Sequence, residues 1–171
     1  MNRLPIFLFW LLVVLFVSYV LSSSMTLPER VATHFGSGGV PNGWMSRDDY
    51  VQFTLMFGLG VSLFVVGSHY LLARFFGNQF NIPNREYWLT PERRADTLGF
   101  IVRHSWWLGC LMLLFMMAIY HLVLMSNRSS SPRLLTIPFL LLMGGFLIGL
   151  GSWVAALRAR FRRPKRRTEG Q

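Results

Sequence analysis

Residues 134–157 read LLTIPFLLLMGGFLIGLGSWVAAL, a run of 24 positions without a single Asp, Glu, Lys or Arg. At about 1.5 Å of rise per residue, a helix of this length reaches about 36 Å, enough to cross the roughly 30 Å hydrocarbon core of a bilayer. Three further stretches also lack charged residues: Leu4–Pro28, Tyr50–Ala73 and His104–Asn127. The pattern predicts four transmembrane helices, over about 4–22, 50–74, 104–126 and 134–157.

The composition of the whole chain supports the same conclusion. Of its 171 residues, 53% are hydrophobic and 14% are charged, whereas soluble domains carry about 25% charged residues. An ordinary soluble domain is therefore excluded. The predicted fold class is an all-α membrane protein, a four-transmembrane-helix bundle over residues 1–157 with a structured outer loop (26–46) between helices 1 and 2.

The first apolar stretch leaves two alternatives open. Arg3 precedes it and Ser22–Ser24 follow it, an arrangement also found in cleaved signal peptides. Its apolar run is longer than the roughly 7–15 residues of a signal-peptide core. We therefore favour an uncleaved helix, although cleavage would leave the orientation of the other three helices unchanged.

Basic residues are divided unequally between the two sides of the predicted bundle. Thirteen Arg and Lys residues flank the helices on one side and four on the other. Because segments rich in Arg and Lys remain in the cytosol, both termini are predicted to be cytosolic. The loop 26–46 is then outside, and the segment 77–103 is inside.

The C-terminal segment 158–171 carries most of the net charge of +10, with seven basic residues against one acid. A basic cluster directly after a hydrophobic helix is typical of a cytosolic anchor, and it favours the anionic headgroups of the lipid bilayer. A nucleic-acid partner is not predicted, because Phe161 is the only aromatic residue in the segment. The anchor residues are Arg158, Arg160, Arg162, Arg163, Lys165, Arg166 and Arg167.

Small residues in the last predicted helix recur on one face. Spacings of three and four place them one above the other, and such faces let membrane helices approach closely. The residues of this predicted helix-packing face are Gly145, Gly149, Ser152 and Ala156. Its partner is either another helix of the chain or a second copy, which would make a homo-oligomer. A weaker pattern in the second helix comprises Gly58, Gly60, Ser62 and Gly67.

Local signals predict short elements in the first loop. Thr26 and Glu29 match a capping box, which predicts a short helix through Val31. Gly36–Gly39 and Pro41–Gly43 are rich in the residues that tight turns require. The loop should therefore contain one helical turn followed by two reversals.

Capping signals also set the predicted beginnings of two long helices. Ser46 and Asp49 repeat the capping pattern, so the second membrane helix should begin near Arg47. Thr90 followed by Pro91 predicts the beginning of a helix that continues into the third apolar stretch.

Catalytic and metal-binding patterns are missing from the sequence. His34 and His121 are predicted on the same side as Glu29, Asp48 and Asp49, but no His-x-x-x-His spacing joins them. A single cysteine can form neither an internal disulfide nor a cysteine-based zinc site. We predict that the protein binds no metal and no cofactor, and that it is not an enzyme.

The first loop resembles a known family. Residues 27–44 read LPERVATHFGSGGVPNGW. A Leu-Pro, a Thr-His-aromatic and a Gly-x-Pro-Asn-Gly-aromatic follow one another after a first membrane helix, and this order resembles the bacterial domain-of-unknown-function family 1648. The later runs 81–88, NIPNREYW, and 91–94, PERR, resemble the cytosolic segment of that family. Gly36 stands where a small polar residue is common.

The resemblance implies a location and a partner. The same domain opens the SdpI-like membrane proteins, which confer immunity against a secreted antibacterial peptide. It implies the bacterial inner membrane, a peptide or protein partner, and a defined outer-loop motif. The motif residues are Pro28, His34, Phe35, Gly39, Pro41, Gly43 and Trp44.

Three functions are compatible with the sequence. The first is a non-enzymatic membrane protein that senses an envelope-active peptide, or confers immunity against it, at the outer face; the loop could also be a cap that only closes the bundle. The second is a small transporter subunit or channel-forming oligomer, which is disfavoured because no charged residue lies deep in any helix. The third and least favoured is a metal-dependent envelope enzyme.

Overall fold

The computed structural model of the protein describes residues 3–162 and contains four long helices, each apolar and long enough to cross a membrane. This confirms the predicted four-helix membrane fold. The helices and strands, in chain order, are α1 (Leu4–Ser24), β1 (Arg30–Phe35), β2 (Pro41–Ser46), α2 (Arg47–Phe76), the single turn α3 (Arg85–Trp88), α4 (Pro91–Ser126) and α5 (Thr136–Arg160).

The first loop forms an antiparallel hairpin of β1 and β2, so the predicted short helix after Thr26 is wrong. The Thr26 hydroxyl caps nothing downstream and donates instead to the carbonyl of Ser23, at 2.7 Å, in the last turn of α1. The chain reverses at residues 36–40, where Gly38 and Gly39 have positive φ angles of 69° and 75°. Pro41–Gly43 lie within β2 rather than in a second turn.

Both capping signals mark the true beginnings of helices. The Ser46 hydroxyl accepts a hydrogen bond from the Asp49 amide at 3.1 Å, and α2 begins at Arg47 as predicted. Helix α4 begins at Pro91, although the Thr90 side chain makes no cap hydrogen bond. Proline at the first helical position suits this site because its missing N–H has no partner there in any case.

Helix α4 is the centre of the bundle and packs against α1, α2 and α5. The fully buried rings of Phe9 and Phe16 hold α1 against its neighbours. Two glycines make room for these rings. A Cβ added at Gly58 would lie 2.7 Å from Phe16, and one at Gly109 would lie 2.8 Å from Val66 and 2.9 Å from Phe9.

The bundle has two ends, which we call the hairpin end and the tail end. The hairpin end holds β1, β2 and the loop between α4 and α5, and the tail end holds residues 77–90 and the last turn of α5. At the tail end, the carbonyl of buried Phe161 accepts hydrogen bonds from Asn84 Nδ2 at 2.9 Å and from Trp88 Nε1 at 3.0 Å. Arg160 forms an ion pair with Asp96 at 3.0 Å. These contacts fix the end of α5.

A candidate site at the hairpin end

A cavity of about 420 Å³ lies between the hairpin and the ends of α4 and α5. Residues 33–39 of the hairpin form one wall, which is rich in backbone atoms because three of the seven are glycines. The rest of the lining is almost entirely apolar and consists of Ile119, Leu122, Val123, Leu134, Thr136, Phe139 and Leu140. The cavity therefore combines an apolar lining with one wall of glycine-rich backbone.

Asn127 attaches the hairpin to α4. Its Oδ1 accepts a hydrogen bond from the Ala32 amide at 2.8 Å, and its Nδ2 donates to the carbonyls of Ala32 and Val123, both at 2.9 Å. The side chain thus pairs with both backbone groups of one β1 residue, as a neighbouring strand would. Sequence reasoning missed Asn127, whose only signal is an amide at the last position of an uncharged stretch.

The loop between α4 and α5 holds the hairpin from the other side. Arg133 Nε donates to the Gly38 carbonyl at 2.9 Å, and the Leu134 amide donates to the Gly39 carbonyl at 3.0 Å. A Cβ at Gly39 would collide with the Leu134 carbonyl, and the positive φ of this residue also disfavours a side chain. The motif glycine at position 39 is therefore required by close backbone contact.

His34 hydrogen-bonds across the hairpin to Asn42, as its place in the loop predicts. Because the Asn42 Oδ1 can only accept, His34 Nδ1 must carry the proton. In a neutral ring, Nε2 is then an acceptor, and the side chain is exposed at the cavity rim. Gly43 is paired with His34 in the sheet, where a Cβ would lie 2.9 Å from that of His34.

The other motif residues divide between the cavity and the surface. Phe35 lines the cavity and packs against the buried apolar core of the bundle, which includes Phe9 and Phe16. Pro41 is its partner in the sheet. Trp44 is 40% exposed, and the Arg30 guanidinium lies 5.4 Å from its ring centroid. Pro28 precedes β1 and does not line the cavity.

Only one residue of the predicted helix-packing face of α5 packs against another helix. Gly149 contacts the α4 side chain Leu111, to which an added Cβ would approach within 3.0 Å. The other three residues are exposed, and no residue of α5 is buried within the described chain. These exposed residues are Gly145, Ser152 and Ala156.

The remaining predicted residues do not join the cavity. Arg158, Arg160 and Arg162 lie at the tail end, and the rest of the predicted anchor (Arg163, Lys165, Arg166, Arg167) lies outside the described residues. Within residues 3–162, no three His, Cys, Asp or Glu side chains are grouped so that they could hold a metal ion.

The motif that carries the family resemblance lies on the segment between α1 and α2, which the structure folds into the hairpin. Residues 6–60 match the family described as Domain of unknown function (DUF1648). The DUF1648 segment runs from α1 through the hairpin into the first half of α2, and it includes the whole outer-loop motif. The resemblance is confirmed there, while the runs 81–88 and 91–94 lie beyond it. No curated protein and no solved structure matches the chain.

Proposed function

We propose that the protein is a non-enzymatic inner-membrane protein that binds an envelope-active peptide at the hairpin end, and so senses that peptide or confers resistance to it. The proposal depends on one observation, the cavity of about 420 Å³ beneath the DUF1648 hairpin. Its apolar lining suits a hydrophobic side chain of a peptide.

The exposed edge of the hairpin favours a peptide over other ligands. Among residues 3–162, β2 is paired only with β1, so its second edge has no strand partner. Extended peptides bind such edges through main-chain hydrogen bonds. Trp44 on β2 and the exposed ring of His34 are side chains that would add specificity.

The proposal assigns no reaction to His34. Its ring pairs with a neutral amide rather than with a carboxylate or a nucleophile, and acid–base triads need such a partner to orient and charge the ring. Binding, rather than catalysis, is therefore the role we propose. Under the positive-inside rule, the hairpin end would face outward, where a secreted peptide arrives.

A challenge experiment tests the proposal. Cells lacking the gene, complemented with wild-type protein or with His34→Ala, are exposed to a panel of secreted antibacterial peptides. We expect the deletion strain and the His34→Ala strain to be more sensitive than wild type to at least one peptide. The matched control is His69→Ala, the same change near the tail end, and immunoblots verify equal amounts of protein. Wild-type sensitivity of the deletion and His34→Ala strains to every peptide would refute the proposal.

A second function, a small transporter subunit or channel-forming oligomer, is supported by α5. Most of its small-residue face is exposed in the monomer, and a second copy could cover that face. Solute flux through liposomes containing the purified protein would favour this function, because a peptide sensor requires none.

A further inference from the structure

A groove of about 650 Å³ runs along α4 between α1 and α5, and of the described residues that line it only Leu122 also lines the cavity beneath the hairpin. On α4 it follows one helix face, since its residues are spaced by three and four positions. Its apolar lining comprises Leu114, Met117, Ala118 and Leu122 of α4 with Pro138 and Leu142 of α5. Because α4 is apolar and long enough to cross a membrane, we expect this groove to open toward lipid rather than toward water.

One polar pair interrupts the apolar lining. The Tyr19 hydroxyl and His121 Nδ1 lie 2.6 Å apart, and both residues line the groove. Each is five residues from the hairpin end of its helix, which places the pair about 7.5 Å inside the helix ends. His121 Nε2 has no hydrogen-bond partner among the described residues. A polar atom at this depth favours a ligand that brings its own polar group.

The same face of α4 continues outward into a second, smaller cavity of about 280 Å³. Its polar lining consists of Arg133 and three serines, Ser126, Ser129 and Ser131. Its apolar lining consists of Met125, Leu135 and Leu122, the last of which is shared with the groove. The loop 127–135 also carries Arg128, and neither the loop nor the lining of either cavity contains an Asp or Glu. The mouth of the groove is therefore positively charged and carries the hydroxyls of Ser129 and Ser131, which complement a phosphate group. The Ser126 hydroxyl already donates to the Leu122 carbonyl at 2.7 Å.

We propose that this groove binds one anionic phospholipid of the leaflet on the hairpin side. Its acyl chains would lie against the apolar groove. A polar group near the ester linkages of the lipid would form a hydrogen bond with the Tyr19–His121 pair. Its phosphate would lie among the serines and Arg133. The order of apolar, polar and cationic surfaces from the groove on α4 to the loop 127–135 matches the order of groups along such a lipid. This site goes beyond the proposed function and does not depend on peptide binding.

Native mass spectrometry of the detergent-purified protein tests the proposal, with phosphatidylglycerol and phosphatidylcholine of identical acyl chains as probes. We expect the wild type to retain one phosphatidylglycerol, about tenfold more tightly than phosphatidylcholine, because charge-assisted hydrogen bonds favour the anionic head. Tyr19→Phe and Arg133→Gln should each reduce the retention of phosphatidylglycerol. Equal retention of the two lipids by the wild type would overturn the proposal.

A groove-filling variant separates this site from lipid held elsewhere on the helices. Ala118→Trp places an indole in the groove and should abolish retention, whereas Ala155→Trp, at an exposed α5 position that lines neither cavity, should not. If Ala118→Trp does not fold, Leu142→Trp fills the same groove from α5. Unchanged retention in the folded groove-filled variant would overturn the proposal. Displacement of the lipid by excess soluble glycerol phosphate would also overturn the proposal, because it would indicate a site that binds only the lipid headgroup.

Discussion

Asn127 shows how one side chain positions the candidate site. Its amide is 5% exposed and bonds to both backbone groups of Ala32, a residue 95 positions earlier in the chain. A buried backbone group that loses its partner costs about 1–3 kcal/mol. The hairpin's attachment to α4 therefore depends strongly on this residue, which no local pattern identifies.

Replacing Asn127 tests this attachment. Asn127→Ala leaves the Ala32 N–H and C=O buried without a side-chain partner, so the free energy of unfolding should fall by about 2–4 kcal/mol. Denaturation in detergent measures this loss, and limited proteolysis should cut the hairpin faster. The control Asn81→Ala removes an exposed asparagine at the tail end and should change stability by less than about 0.5 kcal/mol. Equal stability of the two variants would contradict the assignment.

At the scale of the element, the glycines of α2 show what a small-residue pattern can and cannot predict. The sequence marks four small residues, but only Gly58 and Ser62 are buried. A Cβ at Gly60 or Gly67 would meet nothing within 4 Å. Gly58 and Ser62 are four residues apart and share the face toward α1 and α4. The sequence predicts that such a face exists, but which of the residues belong to it depends on where the neighbouring helices pack.

A pair of glycine substitutions tests this division. Gly58→Ala would place a Cβ 2.7 Å from the Phe16 ring, and overpacking of this kind costs about 1–3 kcal/mol. Gly60→Ala has open space and should be neutral or stabilising by up to about 1 kcal/mol, because alanine favours a helix. Thermal unfolding of both variants in the same detergent measures the difference. Equal destabilisation by both substitutions would show that α1 does not pack on α2 at Gly58.

At the scale of the whole molecule, the charges predict an orientation that the packing alone does not determine. Thirteen basic residues flank one side and four flank the other, so the hairpin end should face outward. Every role proposed for the hairpin depends on this sidedness. The only native cysteine, Cys110, is buried in the bundle, so new cysteines can report on the two ends separately.

Cysteine labelling tests the orientation. In a Cys110→Ala background, Ser130→Cys lies in the exposed loop at the hairpin end and Asn81→Cys in the exposed segment at the tail end. An impermeant maleimide should label Ser130→Cys in intact cells, and it should label Asn81→Cys only after permeabilisation. The opposite pattern would reverse the topology and would place the candidate site in the cytosol.

The sequence by itself determined the four membrane helices and the beginnings of α2 and α4. These features depend on local properties, namely the length of an uncharged run against the thickness of a bilayer, and capping residues next to the helix they begin. It also marked the outer-loop motif, and the hydrogen bond of His34 to Asn42 agrees with the bond across the loop that the sequence allows.

Only the tertiary structure decided the shape of the first loop and of the site. Thr26 and Glu29 have the side chains of a capping box, yet residues 30–35 form a strand because β2 and Asn127 satisfy their backbone. The cavity and the groove each form between segments far apart in the chain. The exposed face of α5 is the part of that helix that the other segments leave uncovered. Their geometry depends on how helices pack around α4, and no periodicity within a single segment contains that information.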